Sequence, residues 1–193
     1  TIKMKNKEIR VYSKDCEVRM DESTDEIKVS GYASLFEHQS RDLGFYETIL
    51  RGAFDGRLDD NVILNFNHDM NAILDRNQGG TLKLSIDERG LRYDGILPKT
   101  STGQDVAELM RRGLLYESSF AFSVEEDKWV EENGEYKRII KKIGRLYDVS
   151  IVGVGAYSNT DVALRSIDKM KIDSKELEAR AKSDSADTLR KIN

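Results

Sequence analysis

The chain has 193 residues, of which 38% are hydrophobic and 34% charged, and its 31 Lys+Arg against 35 Asp+Glu leave a net charge of -4. That length suits one compact domain with tails and excludes a multidomain enzyme. The near-balance of charge argues against a polyanion-binding surface as the main business, so no direct nucleic-acid partner is expected. The lone Cys16 excludes an internal disulfide framework and a multi-thiolate zinc site. Residues 1–10 hold no apolar stretch of signal-peptide length, and the most apolar window, 149–157, falls far short of the ~20 residues that span a bilayer. An intracellular, soluble protein without a membrane partner is the expectation.

In chain order, residues 1–25 form a charged N-terminal segment in which Ile9, Val11 and Val18 hint at an edge strand. From Ile27 the dominant period is two. Strands are predicted over Ile27–Phe36, Phe45–Leu50 and Val62–Phe66, with one short turn of helix over Ala53–Leu58 between them. Leu82, Leu84 and Ile86 alternate with polar neighbours, and Leu91, Tyr93, Ile96 and Leu97 follow the turn signal Asp87-Glu88-Arg89-Gly90, which reads as a hairpin. The clearest helix begins at Ser101 or Thr102, where Thr102-x-x-Asp105 resembles a capping box; Val106, Leu109 and Met110 form its apolar face and Gly113 stops it. Further strands are predicted over Ser119–Val124, Tyr136–Ile140 and Leu146–Val154. Nearly half of residues 166–193 are charged and none is aromatic, so this stretch reads as a solvated tail with a frayed helix over Asp173–Lys182. The fold class is β-rich α+β: a single core over 26–165 with a few helices. With so many strands in one small domain, a closed or nearly closed barrel would hide the edges.

Two histidines limit the chemistry. His38, in the polar run Glu37–Asp42, reads as a solvated loop residue, while His68 ends an apolar strand inside Asn65-Phe-Asn-His-Asp69. Spacing alone favours a structural role for His68. A zinc site built on His68 with Asp69 or Asp75 lacks further His or Cys ligands, and no motif supports a magnesium site, so no metal and no cofactor are expected. Gly79-Gly80 precedes a strand rather than a helix, which removes the amide cluster that would cradle a phosphate. Ser119 opens an aromatic strand; as a nucleophile it would need a base, for which His68 is the candidate, and an acid to orient the imidazole, for which Asp148 stands in an apolar strand. From composition alone this trio is one reading among several, since triads are recognised by geometry.

The strings Val29-Ser-Gly-Tyr-Ala-Ser-Leu-Phe36, Glu47 ahead of Arg51-Gly-Ala-Phe54, Asn67-His68-Asp69, Thr81-Leu-Lys-Leu, Gly90-Leu91, Ser119-Phe-Ala-Phe122, Trp129 and Leu146-Tyr-Asp-Val-Ser-Ile-Val152 occur in order. Over roughly Ile27 to Val162 they resemble the tailed-phage prohead protease family. The resemblance implies a serine endopeptidase with a β-barrel similar to the herpesvirus assemblins, with 26–165 as the protease domain. It implies work inside the immature prohead in the host cytoplasm, on scaffold, capsid precursor and itself. The family's His falls on His68, its Ser on Ser119 and its late acid, usually Glu, on Asp148. Ser118 is the alternative serine and Glu117 the alternative acid; the turn 153–156 is the candidate oxyanion donor. The chain departs from the family at Arg51 and Gly155-Ala156, where Pro or Pro-Ala is common, and at Ala121, where Gly is usual. Dimerisation is expected by analogy with the assemblins, and Leu177–Leu189 is the candidate segment for self-cleavage or scaffold association. The competing readings are a non-catalytic capsid-assembly module of the same fold and a metal-dependent nuclease or phosphoesterase.

Overall fold

The structure, a computed structural model, describes residues 7–11, 18–21, 23, 25–153, 166, 168–177, 179 and 180. They belong to two units, Thr1–Asn159 and Thr160–Asn193. In the second, residues 168–177 are helical and mostly exposed, with Leu177 68% exposed. Cys16, residues 154–165 and residues 181–193 lie outside the described residues.

The first unit contains β1 (Glu8–Arg10), β2 (Val18–Asp21), β3 (Lys28–Leu35), β4 (Tyr46–Ile49), β5 (Ile63–Phe66), β6 (Ile73–Arg76), β7 (Lys83–Ile86), β8 (Gly90–Ile96), α1 (Ser101–Arg111), β9 (Leu115–Glu132) and β10 (Glu135–Gly153). They form a mixed six-stranded sheet, ordered β1-β9-β10-β5-β6 with β4 also on β10, and a four-stranded sheet ordered β2-β3-β8-β7. The expected β-rich core is found. The predicted hairpin is β7 and β8, with Ile86 opposite Leu91 and Leu84 opposite Tyr93.

The three late strands of the sequence reading are two very long ones. β9 and β10 pair antiparallel from Glu132–Glu135 to Leu115–Gly153. They turn on Asn133 and Gly134, both at positive φ (54° and 82°), the Asn-Gly pairing that matches strand twist in a two-residue hairpin. Their distal halves are charged, which hid them from a search for apolar alternation. β10 then serves three partners: antiparallel β9 along its length, parallel β4 at Lys137–Ile140 and parallel β5 at Asp148–Ile151.

Two local expectations are corrected. Residues 53–58 form no helix; the bonds Ala53 N to Leu50 O, Asp55 N to Gly52 O and Arg57 N to Phe54 O make a chain of tight turns that buries Ala53 and Phe54. α1 begins at Ser101 as expected, but its N-cap is Thr100, whose Oγ1 accepts from the Gly103 amide at 3.2 Å, and the Thr102-x-x-Asp105 capping box is not the cap. A Cβ on Gly103 would stand 2.0 Å from the Pro98 carbonyl oxygen, so the first turn packs on the preceding chain too closely for any other residue.

Both sheets contribute to one hydrophobic cluster, with Val29, Leu91 and Tyr93 from one and Phe120, Phe122, Leu146, Val149 and Ile151 from the other. Phe120 is fully buried, stacked on Phe122 at 4.6 Å between ring centroids and edge-on to Phe54 at 5.8 Å. Phe120→Ala should therefore cost about 3–5 kcal/mol in urea unfolding. A loss below about 1 kcal/mol would mean that the core collapses around the gap.

Candidate active site

β9 brings Ser119 into the centre of the six-stranded sheet, opposite Ser150 of β10. Alternation puts Phe120 and Phe122 in the core and Ser119 and Ala121 on the other face. Asp148 reaches that second face only because the ladder slips. Leu146 pairs with Phe122 but Asp148 pairs with Ala121, leaving Tyr147 as the extra residue of a bulge. Without the bulge Asp148 would stand opposite Phe120, facing the core.

His68 arrives from β5. Asn67 and His68 both have positive φ (51° and 57°), and Asp69 N donates to Phe66 O at 3.0 Å, closing a tight turn in the left-handed conformation. Asn and His tolerate that region better than most side chains. The turn is held from β10: Asn67 N donates to Ile151 O at 3.0 Å, His68 N to Ser150 Oγ at 3.0 Å, and Gly153 N to Asn67 Oδ1 at 3.2 Å. The strain is thus bound into the sheet and aims the imidazole back across β10.

The three side chains meet. His68 Nδ1 lies 2.6 Å from Asp148 Oδ1, and His68 Nε2 lies 2.7 Å from Ser119 Oγ. Ser119 and Asp148 are fully buried. Burial would push the Asp148 carboxyl up, but the hydrogen bond and charge of His68 and the Lys7 ammonium at 2.9 Å outweigh it and hold the group below its ordinary value. An ionised Asp148 makes Nδ1 the protonated nitrogen and leaves Nε2 free to accept the hydroxyl proton.

The alternatives lie elsewhere. Ser118 is on the core face, 2.7 Å from the Tyr93 hydroxyl. Glu117 accepts from Arg41 Nη2 at 2.8 Å. His38 is exposed between β3 and β4. Asp69 accepts from Asn71 N at 2.8 Å, and Asp75 accepts from Thr81 Oγ1 at 2.6 Å and Ile96 N at 3.0 Å. Among the described residues no three His, Cys, Asp or Glu are grouped to hold a metal, and no helix is long and apolar enough to cross a membrane. Ala121 sits fully buried in β9 without the positive φ that would have demanded Gly. Arg51 pairs with Glu37 at the surface. The amide of Gly153 is committed to Asn67, and residues 154–156 lie outside the described ones.

Beside the trio lies a buried ionic cluster that the sequence reading did not anticipate. Arg10 presents Nε and Nη2 to Glu47 at 2.9 and 3.2 Å and also bonds Glu8. Arg138 donates to Glu8 at 2.8 and 3.1 Å, to Glu47 at 3.1 Å and to Asp127 at 2.6 Å. The edge strand hinted at by Ile9 is found as β1, and it turns Glu8 and Arg10 inward while Ile9 and the following Val11 are partly exposed. The trace it left in the residues is slight: Glu47 and Arg138 are charges inside predicted strands, next to Thr48 and Lys137.

Burial alone would raise the Glu8 carboxyl, but the charges and hydrogen bonds of Arg10 and Arg138 lower it overall. Glu8 and Asp148 therefore hold fewer protons folded than unfolded just below the ordinary carboxylate range. Their stabilisation is full above that range and lost as pH falls through it. The urea midpoint should drop between about pH 5 and pH 3, and Glu8→Gln should flatten the decline; an identical slope in that variant would contradict the assignment.

A serine, an imidazole and a buried carboxylate linked in that order are the constellation of triad-type serine hydrolases. The model of the caudovirus prohead serine protease family matches residues 14–173, and the chain belongs to this family. The fold is similar to that in the structure of the bacteriophage T4 capsid assembly protease, gp21, with a TM-score of 0.53 at 11% identity over 76% of this chain and 97% of that one. No curated protein matches the chain.

Proposed function

We propose that Ser119, His68 and Asp148 form the catalytic triad of a prohead endopeptidase that cleaves scaffold, capsid precursor and itself during capsid maturation. The observation that carries this is the unbroken hydrogen-bonded line from Ser119 Oγ through both ring nitrogens of His68 to Asp148. Family membership supports the substrates and a place inside the immature prohead in the host. In this reading the two sheets wrap into an assemblin-like barrel around their shared core, and the protein works as a dimer by analogy with the assemblins.

In acylation Ser119 Oγ bonds to the peptide carbonyl carbon while His68 Nε2 takes the hydroxyl proton. Asp148 holds the imidazole and stabilises its cation. As the C–N bond breaks, Nε2 gives that proton to the leaving amine. Water then attacks the acyl-enzyme, again losing a proton to Nε2, and the carboxylic acid leaves as Ser119 regains its own. Nucleophile and acid stand on neighbouring strands of one sheet and the base on a pinned turn, so little reorganisation is needed in the transition state.

Co-expression with the phage scaffold, followed by intact-mass measurement, tests the reading. Wild type should shorten the scaffold and its own tail within Leu177–Leu189, and His68→Ala should leave both whole. Scaffold bound but uncut by wild type would instead indicate an assembly module without catalysis.

A further inference from the structure

Ser119 is sealed by the chain itself. β1 lies antiparallel on β9, with Ile9 opposite Ala121 and Arg10 opposite Phe120, and the Arg10 carbonyl oxygen accepts from Ser119 Oγ at 2.8 Å. The hydroxyl has one proton, so this bond competes directly with the one to His68 Nε2. Lys7, one residue before β1, reaches the far oxygen of Asp148 at 2.9 Å. β1 lies ahead of residues 14–173, the range that matches the family.

Extended peptides can bind by adding a strand along an exposed sheet edge, and one that is to be cut must also bring a carbonyl to the nucleophile. β1 has that edge and that carbonyl. It also has side-chain recognition. The Arg10 guanidinium, 2% exposed, meets the fully buried Glu47 with two nitrogens and lies over the Phe122 ring at 5.7 Å. Two residues earlier, Glu8 meets Arg138. Glu47 and Arg138 belong to β4 and β10, inside the matched range, and Glu8 and Arg10 lie ahead of it. Glu47 and Arg138 bond each other at 3.1 Å and Arg138 also bonds Asp127, but Glu47 keeps both oxygens turned to Arg10 and Arg138 two nitrogens turned to Glu8, so the pair selects for charge complementary to each in what is laid across it.

We infer that Glu47 and Arg138 form a specificity pocket for peptides with Arg or Lys immediately before the scissile bond and an acidic residue two positions earlier, and that residues 7–10 of the chain occupy this pocket as a built-in ligand. The inference rests on the triad reading. Arg is the better fit because its fork meets both Glu47 oxygens, while Lys offers a single point of charge. An acidic residue there would face Glu47 as a buried like charge.

The test uses the full chain and the hexapeptide Lys-Glu-Ile-Arg-Val-Tyr, the sequence of residues 7–12, beside peptides carrying Ala or Glu in place of Arg. A fluorophosphonate probe reports Ser119 reactivity independently. The Arg peptide should be cut at Arg-Val with kcat/KM at least tenfold above the Ala peptide, and the Glu peptide should be poorest. Arg10→Ala, which removes the occupant's side chain, should label and cleave faster than wild type with the same preference. In Glu47→Gln the Arg/Ala ratio should fall towards one. Equal rates on the Arg and Ala peptides in both wild type and Arg10→Ala overturn the inference even if Glu47→Gln does not fold, and so does a preference that survives in folded Glu47→Gln. Labelling of Ser119 without an Arg preference sinks the pocket alone; peptide cleavage that persists at the wild-type rate in Ser119→Ala sinks the triad reading with it.

Discussion

Ser119→Ala should lower kcat for peptide cleavage by about 10⁵ to 10⁶-fold, the scale at which a triad loses its nucleophile and keeps only binding and electrostatic assistance. The fold should survive. The hydroxyl is fully buried, and its partners are His68 Nε2 and the Arg10 carbonyl. Deleting it leaves two acceptors without that donor, at a cost of about 1–3 kcal/mol each at most, and the core face of β9 is untouched. Far-UV circular dichroism and the urea midpoint check the fold, and quenched-peptide kinetics check the activity. A purified Ser119→Ala chain within tenfold of wild type would remove Ser119 from the reaction, and Ser118, bonded to Tyr93 on the core face, could not replace it.

Asp148→Asn should cost about 10⁴-fold in kcat, with KM little changed. In the proposed triad the acid acts through His68, by deciding which ring nitrogen carries the proton. An ionised Asp148 at 2.6 Å keeps the proton on Nδ1 and leaves Nε2 as the acceptor that Ser119 needs. An Asn amide can donate to Nδ1 instead, which moves the ring proton to Nε2 and abolishes the base. It also removes the negative charge that stabilises the imidazolium and pairs with Lys7. Asp148→Glu restores the charge and should recover part of the rate. A loss in Asp148→Asn below tenfold would show that the carboxylate does not set the tautomer.

Both predictions depend on one irregularity. Leu146, Val149 and Ile151 all face the core, yet 146 and 149 differ by three, which strict alternation forbids. The bulge at Tyr147 reconciles them and delivers Asp148 to the face of Ser119. That odd spacing is readable in the residues, and it is what places the Asp148 carboxylate on the face of Ser119. The Asn133-Gly134 turn was equally readable, since it divides two charged alternating runs. β6 left a weaker trace because Ile73 is exposed.

Buried charge was the least legible part of the site. Ile9 and Val11 hinted at an edge strand without saying what it would bury; Glu47 and Arg138 wait across the sheet edge, and ion pairing turns Glu8 and Arg10 inward. Hydrophobic periodicity has no means of anticipating this, because the partners are 37 and 130 residues away in the chain. The same arrangement lays Arg10 on the nucleophile.

Composition and pattern determined much about this protein by themselves: a β-rich domain, its hairpin and helix, and two histidines of which one ends an apolar strand. These are local matters, governed by period, turn chemistry and residue type. Which serine and which acid stand beside His68, and which face of β1 turns inward, was decided only in three dimensions. A left-handed turn aims His68, a bulge turns Asp148, and β10 holds both against Ser119, bringing residues 51 and 80 positions apart within hydrogen-bonding distance. Triad geometry is a long-range property, and register across the sheet, which single-residue propensities do not encode, is what creates it.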